Sequence, residues 1–563
     1  MNIRKRYTKV CLFLWVIGMC LCAHPINAQS VIPVPLKMEQ GTGSFLLSEK
    51  TKLYTNLQGE EAILLGDYLK TALPVQFKEG KKKDKQNVLS LLITEKNPQL
   101  VSPESYILSV TPEHILIQAS SGAGLFYGLQ TLLQLSQPSG TGYSIVSVEV
   151  QDTPRFAYRG MMLDVSRHFF SKEFVKKQID ALAFYKLNRL HLHLTDAAGW
   201  RLEIKKYPLL TEFAAWRTDA NWKKWWNGGR KYLRFDEPGA SGSYYTQDDM
   251  KEIIAYAQQH YITIIPEIEM PAHSEEVLAA YPQLSCSGEP YKNADFCVGN
   301  EETFTFLENV LTEVMELFPS EYIHVGGDEA GKAAWKTCPK CQKRMQDEHL
   351  SNVDELQSYL IHRIELFLNA HGRKLLGWDE ILQGGLAPNA TVMSWRGEEG
   401  GIAAVRSGHQ AIMTPGQYCY LDSYQDAPYS PHYPAQGNTA LTDGIRGDWT
   451  YGDGSWQGFI DKKRLDVTID MGTETAVHSV SADFMQVVGA EVFLPESVTI
   501  SISDDGANFT ELKQYTFEVN RKEAIKFISI SWEGRAEGRY IRYQARAGEE
   551  FGGWIFTDEI VVK

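Results

Sequence analysis

The chain has 563 residues, room for about three domains of ordinary size. At 43% hydrophobic and 22% charged residues it has an ordinary globular composition, which excludes wholesale disorder. Its formal charge of -14, without any long basic block, argues against nucleic acid or an anionic membrane and for a neutral partner.

Residues 1–28 read as a secretory signal peptide. Arg4, Lys5, Arg6 and Lys9 make a basic start, residues 10–23 are largely apolar, and Ile26-Asn27-Ala28 offers a small residue before a cut. The apolar run is shorter than the roughly 20 residues that span a bilayer. Cys20 and Cys22 raise lipid attachment as an alternative, but the residues before them are not consistently small, so cleavage after Ala28 is preferred. No later stretch is long and apolar enough to cross a membrane. The expected product is exported, periplasmic or extracellular, with no transmembrane segment.

Residues 31–152 are predicted to form a small α/β domain. Tyr106-Ile107-Leu108-Ser109-Val110 and His114-Ile115-Leu116-Ile117-Gln118 alternate as half-buried strands around a Pro112-Glu113 turn. Behind Ser120-Ser121-Gly122, the spacing of Leu125, Leu129, Leu132 and Leu133 predicts a helix. No ionisable groups gather here, so the domain reads as structural.

Residues 153–425 change rhythm, to short apolar strands separated by helices. Strands are predicted at 160–165, 190–194, 263–268, 322–325, 374–377, 391–394 and 411–414. Ser171 caps a helix whose face is Phe174, Ile179, Leu182 and Ala183. Thr246 and Asp249 have the spacing of a capping box before Ile253, Ile254 and Ala257. Such alternation means a parallel sheet with crossover helices, and a (β/α) barrel is the leading candidate.

From about residue 441 to 563 the helices stop. Alternation at 465–471, 498–503 and 541–545, with turns such as Asp504-Asp505-Gly506, predicts an antiparallel β-sandwich. The Pro-, Tyr- and Gly-rich stretch 424–438 is the expected linker. Five cysteines follow the signal peptide. Cys286 and Cys297 bracket a short polar loop and are the expected disulfide. Cys338-Pro339-Lys340-Cys341 reads as a local disulfide or a free thiol pair, because no second ligand pair stands at the usual zinc spacing. Cys419 is left over.

The chemistry gathers where the barrel strands end, the rim that carries active sites in such folds. In chain order the ends are Asp164-Val165-Ser166-Arg167-His168, then Thr195-Asp196, then Pro266-Glu267-Ile268-Glu269 with His273 beyond. Next come His324-Val325-Gly326-Gly327-Asp328-Glu329, Trp378-Asp379-Glu380, Trp395-Arg396 and Tyr420-Leu421-Asp422. Any one of these has an ordinary structural explanation, as a helix cap or a core aromatic. All of them at one rim do not. Gly326 and Gly327 let the backbone kink and a ligand approach closely. Two adjacent carboxylates cannot both ionise cheaply, so one is expected to keep its proton near neutrality and serve as an acid. Trp378 and Trp395 offer flat faces to a sugar ring, and Arg167 and Asp422 can grip hydroxyls.

These strings resemble the β-N-acetylhexosaminidases of glycoside hydrolase family 20, over nearly the whole chain behind the signal peptide. Those carrying it are Asp164-Val165-Ser166-Arg167-His168-Phe169, His191-Leu192-His193-Leu194-Thr195-Asp196, Pro266-Glu267-Ile268-Glu269-Met270-Pro271 and His324-Val325-Gly326-Gly327-Asp328-Glu329. Trp378-Asp379-Glu380 and Met393-Ser394-Trp395 continue the order. The C-terminal region is similar to the discoidin-like, galactose-binding modules often appended to that family. The resemblance implies exo-acting removal of terminal β-linked GlcNAc or GalNAc from a glycan, with retention and without cofactor or metal. The substrate's own acetamido oxygen would attack the anomeric carbon. By resemblance, Glu329 is the acid and then the base, and Asp328 orients the acetamido N–H. Tyr420 binds its oxygen, Trp378 and Trp395 wall its methyl, Arg167 and Asp422 hold hydroxyls, and Asp196 and His273 support the acid.

The chain departs from the family pattern at Ala197-Ala198, Glu269 and Ala272, and more seriously past Asp422. No eighth strand is found before the linker. The barrel is therefore expected to lack its last β/α unit and to lie open between its first and seventh strands, with reduced activity. Two competing readings follow. One is a carbohydrate-binding remnant, which the missing strand favours and the intact Asp328-Glu329 opposes. The other is a metal-dependent barrel hydrolase using His191, His193, His273 and His324. Side chains alternate along a strand, so His191 and His193 share one side and Asp196 takes the other. If Asp196 faces the pocket, the two histidines are expected to face the surrounding helices.

Overall fold

The computed structural model describes residues 31–421 except position 95, and 457–563 except 460–463, 489–491, 518–522, 524, 547–554 and 559. The expected signal peptide, the linker and Asp422 lie outside the described residues. The chain divides into two compact units, the first ending at Tyr418.

In the N-terminal domain one mixed sheet runs, neighbour to neighbour, through Lys37–Leu47, Gly142–Asp152, Tyr106–Val110, His114–Ala119, Val88–Ile93, Lys52–Thr55 and Lys78–Glu79. The predicted hairpin is antiparallel, and its alternation is real: Ile115, Ile117 and Ala119 are buried while their neighbours are half-buried. The predicted helix spans Gly122–Leu135, with the Ser121 hydroxyl accepting from the Gly124 N–H at 3.4 Å. Leu125, Leu129 and Leu132 are fully buried. Beyond the helix, Phe126 meets the ring of Tyr261 at 5.0 Å, Arg159 pairs with Glu104 at 2.8 Å, and Gln134 donates to the Phe184 carbonyl at 2.9 Å. Arg159, Phe184 and Tyr261 all precede the N-terminal ends of barrel strands. The domain therefore braces the rim opposite the one where the candidate residues collect.

The barrel strands are β1 (Gly160–Asp164), β2 (Arg189–His193), β3 (Thr263–Met270), β4 (Tyr322–Gly326), β5 (Lys374–Trp378), β6 (Thr391–Ser394) and β7 (Ala411–Met413). They pair in parallel in that order. Among the described residues β1 pairs only with β2, and β7 only with β6. The predicted caps are present. Ser171 accepts from Phe174 N–H at 3.3 Å to start the helix Lys172–Phe184, which buries Val175, Ile179, Leu182 and Ala183. Thr246 and Asp249 complete a reciprocal capping box at the head of Gln247–Gln259. Between β2 and that helix a long excursion crosses the functional rim. It is pinned by buried Arg201, whose guanidinium donates to the carbonyls of Ser166, Ala198, Ala215 and Ser243.

Two expectations are corrected here. His191 and His193 point into the barrel, not at the surrounding helices, and converge on Glu267 with His324. The alternation argument failed because β2 ends at His193, so Asp196 reaches the same side from an irregular turn. The Cys286–Cys297 disulfide is not formed, and all five described cysteines are free. Cys286, Cys297, Cys338 and Cys341 instead cluster, two from one loop and two from the start of the helix Pro339–Asp347. Pairing by spacing could not see that convergence, because the helix Glu301–Leu317 and β4 intervene.

The second unit is antiparallel, as its alternation predicts. Two long strands, Arg464–Val487 and Ile525–Arg546, pair along their length, and Ser497–Ser503 and Thr510–Thr516 extend the same sheet. Its core is its own, built on Leu465, Val480, Phe484, Val498, Ile541 and Tyr543.

Leu129→Ala should destabilise the first unit by about 2–5 kcal/mol, because the site lies among sheet and helix atoms that cannot collapse into the void. Urea unfolding followed by tryptophan fluorescence checks this. A loss below 1 kcal/mol, on the order of an exposed substitution, would mean the helix is not a buried brace.

Candidate active site

At the centre of the parallel sheet lies Glu267, fully buried on β3. Trp378 Nε1 donates to its Oε1 at 2.8 Å, His324 Nδ1 and His191 Nε2 lie 2.9 Å away, and His193 Nδ1 makes a shorter contact still. Burial opposes the charge of this carboxyl, but the three imidazoles hold its pKa well below the usual range. His193 is driven the other way. Burial works against its proton, yet Glu267 and Asp196 raise its pKa well above the usual value. Burial keeps His191 neutral instead, pulled down to about 4.

His193 carries the network outward. Its Nε2 stands 3.1 Å from Asp196 Oδ2 and 2.9 Å from Arg167 NH1, and Arg167 also pairs with Asp196 at 2.6 Å and Asp164 at 3.0 Å. Asp164 in turn accepts from the backbone N–H groups of Ser166 and Arg167, which fixes the turn after β1. Asp196, buried but faced by Arg167, His193 and His273, is held well below the carboxylate range.

The ring of His273 joins this group to the pair singled out in the sequence. Nδ1 lies 3.4 Å from Asp196 Oδ1, and Nε2 lies 3.3 Å from both Asp328 Oδ2 and Glu329 Oε2. Burial resists protonation of His273, but its three carboxylates raise its pKa far above the ordinary value. Its contact is also the largest influence on Glu329, whose pKa is lowered. Here the structure corrects the expectation for adjacent acids. The carboxyl pushed up is Glu269, fully buried and next raised by Asp328, and not Glu329. Glu329 is the open member of the group, its side chain 58% exposed.

The loop bearing these acids is unusual backbone. Gly326, Gly327, Glu329 and Lys332 have φ of 66°, 96°, 49° and 57°, a region costly for residues with a Cβ. The glycines are needed for packing as well as for the turn. A Cβ on Gly326 would overlap the Glu269 carboxylate, and one on Gly327 would meet Ile381 at 2.5 Å. The loop is tied down on every side. Gln357 Nε2 donates to the Gly327 carbonyl at 2.7 Å, and Asp295 accepts from the N–H of Gly331 at 3.3 Å and of Lys332 at 2.9 Å. Lys332 Nζ reaches Asp354 and Gln383, each at 2.6 Å.

Trp378 is buried, with its indole edge fixed on Glu267 and its ring 4.8 Å from that of His324. Trp395 is half-buried and donates to Glu380 at 3.0 Å, and burial raises that carboxyl to about 7. Arg167, Asp196, His273, Asp328 and Glu329 are thus one connected group. Tyr420 follows the short helix Gly416–Cys419 just past β7, and Asp422 is outside the described residues. The four histidines do not form one ligand set. His273 groups with Asp328 and Glu329, whereas His191 and His324 group with Glu267. Sequence reasoning sets Glu267 and Glu269 at the rim and His193 in the metal reading, but gives none of them a part in the sugar site. The signal for them was present in the buried charges of His-x-His and Glu-x-Glu on neighbouring strands.

A model of the glycosyl hydrolase family 20 catalytic domain matches residues 156–484, and that of the family's domain 2 matches residues 28–153. A beta-hexosaminidase of Porphyromonas gingivalis is 42% identical over 419 residues, covering 71% of this chain and 52% of that protein. The chain thus spans about half the length of that curated relative. A beta-hexosaminidase of Vibrio furnissii is 37% identical over 429 residues, 73% of this chain and 67% of that protein. Among solved structures, a beta-N-acetylhexosaminidase from Bacteroides fragilis superposes with a TM-score of 0.61 at 33% identity, covering 70% of this chain and 77% of that one. A Vibrio harveyi exo beta-N-acetylglucosaminidase in complex with N-acetylglucosamine gives 0.64 at 32% identity, with 73% and 64% covered.

The electrostatics can be read directly. Because His273 lowers the pKa of Glu329, His273→Gln should move the Glu329 titration to higher pH. Carboxyl carbon NMR of the labelled protein follows it. A midpoint that stays put or falls would remove His273 as the group that holds Glu329 charged.

Proposed function

The chain belongs to glycosyl hydrolase family 20, and on that premise we propose that it is an exo-acting β-N-acetylhexosaminidase. It removes terminal β-linked GlcNAc or GalNAc from glycans by substrate-assisted, retaining hydrolysis. The observation that carries this reading is the meeting of Asp328 and Glu329 on one ring nitrogen of His273, with Asp196 on the other.

Glu329, exposed at the mouth, gives its proton to the glycosidic oxygen as the bond to the leaving sugar breaks. The acetamido oxygen of the same substrate attacks the anomeric carbon, forming an oxazolinium ring, so no protein nucleophile is needed. Asp328 accepts from the acetamido N–H and stabilises the positive charge that develops on the ring. Glu329, now a carboxylate, draws a proton from water as it opens the intermediate with retention. A bound sugar also displaces water from Glu329. That desolvation raises its pKa against the pull of His273 and loads the proton where it is used. Arg167, oriented by Asp164 and Asp196, grips hydroxyls. Trp378 and Trp395 wall the acetamido methyl, and Tyr420 and Asp422 are assigned the acetamido oxygen and a further hydroxyl by family resemblance.

The basic start and apolar run of residues 1–28 support export to the periplasm or beyond. The antiparallel C-terminal sheet supports a discoidin-like accessory domain. No helix among the described residues is long and apolar enough to cross a membrane.

Glu329→Gln should lower kcat by about 10²–10⁴-fold on an unactivated N-acetylglucosaminide while ligand binding persists, since it removes the proton and keeps the shape. The matching β-glucoside, lacking the acetamido group, should be nearly inert with the unaltered enzyme. Equal rates on the two sugars, measured by product release, would sink substrate assistance.

A further inference from the structure

Four cysteines stand apart from the sugar site and have no part in its chemistry. Cys286 and Cys297 flank a loop closed at its neck by the pairing of Ser285 with Phe296. Cys338 caps the helix Pro339–Asp347, and Cys341 lies in its first turn. Cys297, Cys338 and Cys341 are buried, and Cys286 is half-buried. All four Sγ atoms lie within 4.8 Å of one another. Cys286 is 3.7 Å from Cys341, and Cys297 is 3.7 Å from both Cys338 and Cys341.

We propose that these four cysteines bind one zinc ion as a closed structural tetrathiolate. A zinc–sulfur bond of about 2.3 Å in a tetrahedron sets neighbouring sulfurs ~3.8 Å apart, close to the 3.7 Å of three of the pairs here. A pair of disulfides fits poorly. Cys297 is equidistant from two partners, and each separation far exceeds the roughly 2.05 Å of a sulfur–sulfur bond. Soft sulfur donors in a four-fold set select zinc over the hard divalent ions that carboxylates take. The backbone is built around the cluster: at Gly299 a Cβ would run into the backbone of Lys340 and Cys341, so the two loops touch there directly. Lys336 and Lys340, both exposed, flank the Cys338–Cys341 pair in sequence.

The position gives the ion a purpose. One loop carries Asp295, which holds the backbone N–H groups of Gly331 and Lys332, and the other continues from Glu329. Trp335 Nε1 donates to the Phe296 carbonyl at 2.9 Å between them. Zinc would lock the two loops together and hold the left-handed turn at Glu329 against relaxation.

The test uses the full chain purified without reductant or chelator. Elemental analysis should find about one zinc per chain, on the order of a closed structural site. Titration of the Cys419→Ser protein with an organomercurial should release it as the four clustered thiols are consumed. Cys338→Ser combined with Cys341→Ser should lose the zinc, and Cys419→Ser, at an exposed position, should keep it. Protein produced with cobalt as the probe should show the intense visible absorption of a tetrahedral cobalt tetrathiolate, a readout independent of any variant's folding. Stoichiometric iron, a metal-free protein with all four clustered cysteines free, or an intact mass showing two disulfides would each overturn the proposal.

Discussion

The buried carboxylate of Glu267 is the interaction on which the rest of the barrel depends. An ion sealed from water is costly unless fully paired. Glu267 is paired with His191 and His193 from β2, His324 from β4 and the Trp378 indole from β5. Four successive strands are thereby held in register by one charge, over and above their backbone ladder. The arrangement is also directional. His193 reaches past Glu267 to Asp196 and Arg167, and Asp196 reaches His273. The orientation of the acid pair at the mouth is inherited from a carboxylate at the barrel's centre.

Alternation of charge makes that inheritance affordable. Glu267, His193, Asp196 and His273 follow one another as anion, cation, anion, cation, and Glu329 terminates the series. Glu269, beside the series, is left uncharged by burial. An additional buried anion there would compete for the same cations, so its proton keeps the rest of the pairing intact. The resting site thus presents a charged Glu329. It becomes an acid only when a ligand dries its surroundings, which ties proton loading to occupancy.

Much of this was legible in the residues. The seven barrel strands fall within a few positions of where apolar runs between helical stretches put them, and the caps at Ser171 and Thr246 are the ones their side chains announce. Arg167, Asp196, His273, Asp328 and Glu329 were chosen for their place at strand ends, and the barrel geometry brings them together. What failed were three inferences that needed a direction or a distance beyond one element. The inward turn of His191 and His193 depends on where β2 stops, and a one-residue difference moves Asp196 to their side. The identity of the protonated carboxyl depends on burial, which adjacency in sequence does not report. The grouping of Cys286 and Cys297 with Cys338 and Cys341 spans a helix and a strand, a separation no spacing rule encodes.

Gly326 and Glu269 share a single volume: the carboxylate of one occupies the space where the other would carry a side chain. The two positions therefore cannot drift separately. A substitution at Gly326 made alone meets both a clash and a left-handed backbone. Shortening residue 269 relieves only the first of these obstacles. A shorter residue at 269 thus opens space that Gly326 leaves empty of its own atoms, while a side chain at 326 has nowhere to go until residue 269 moves.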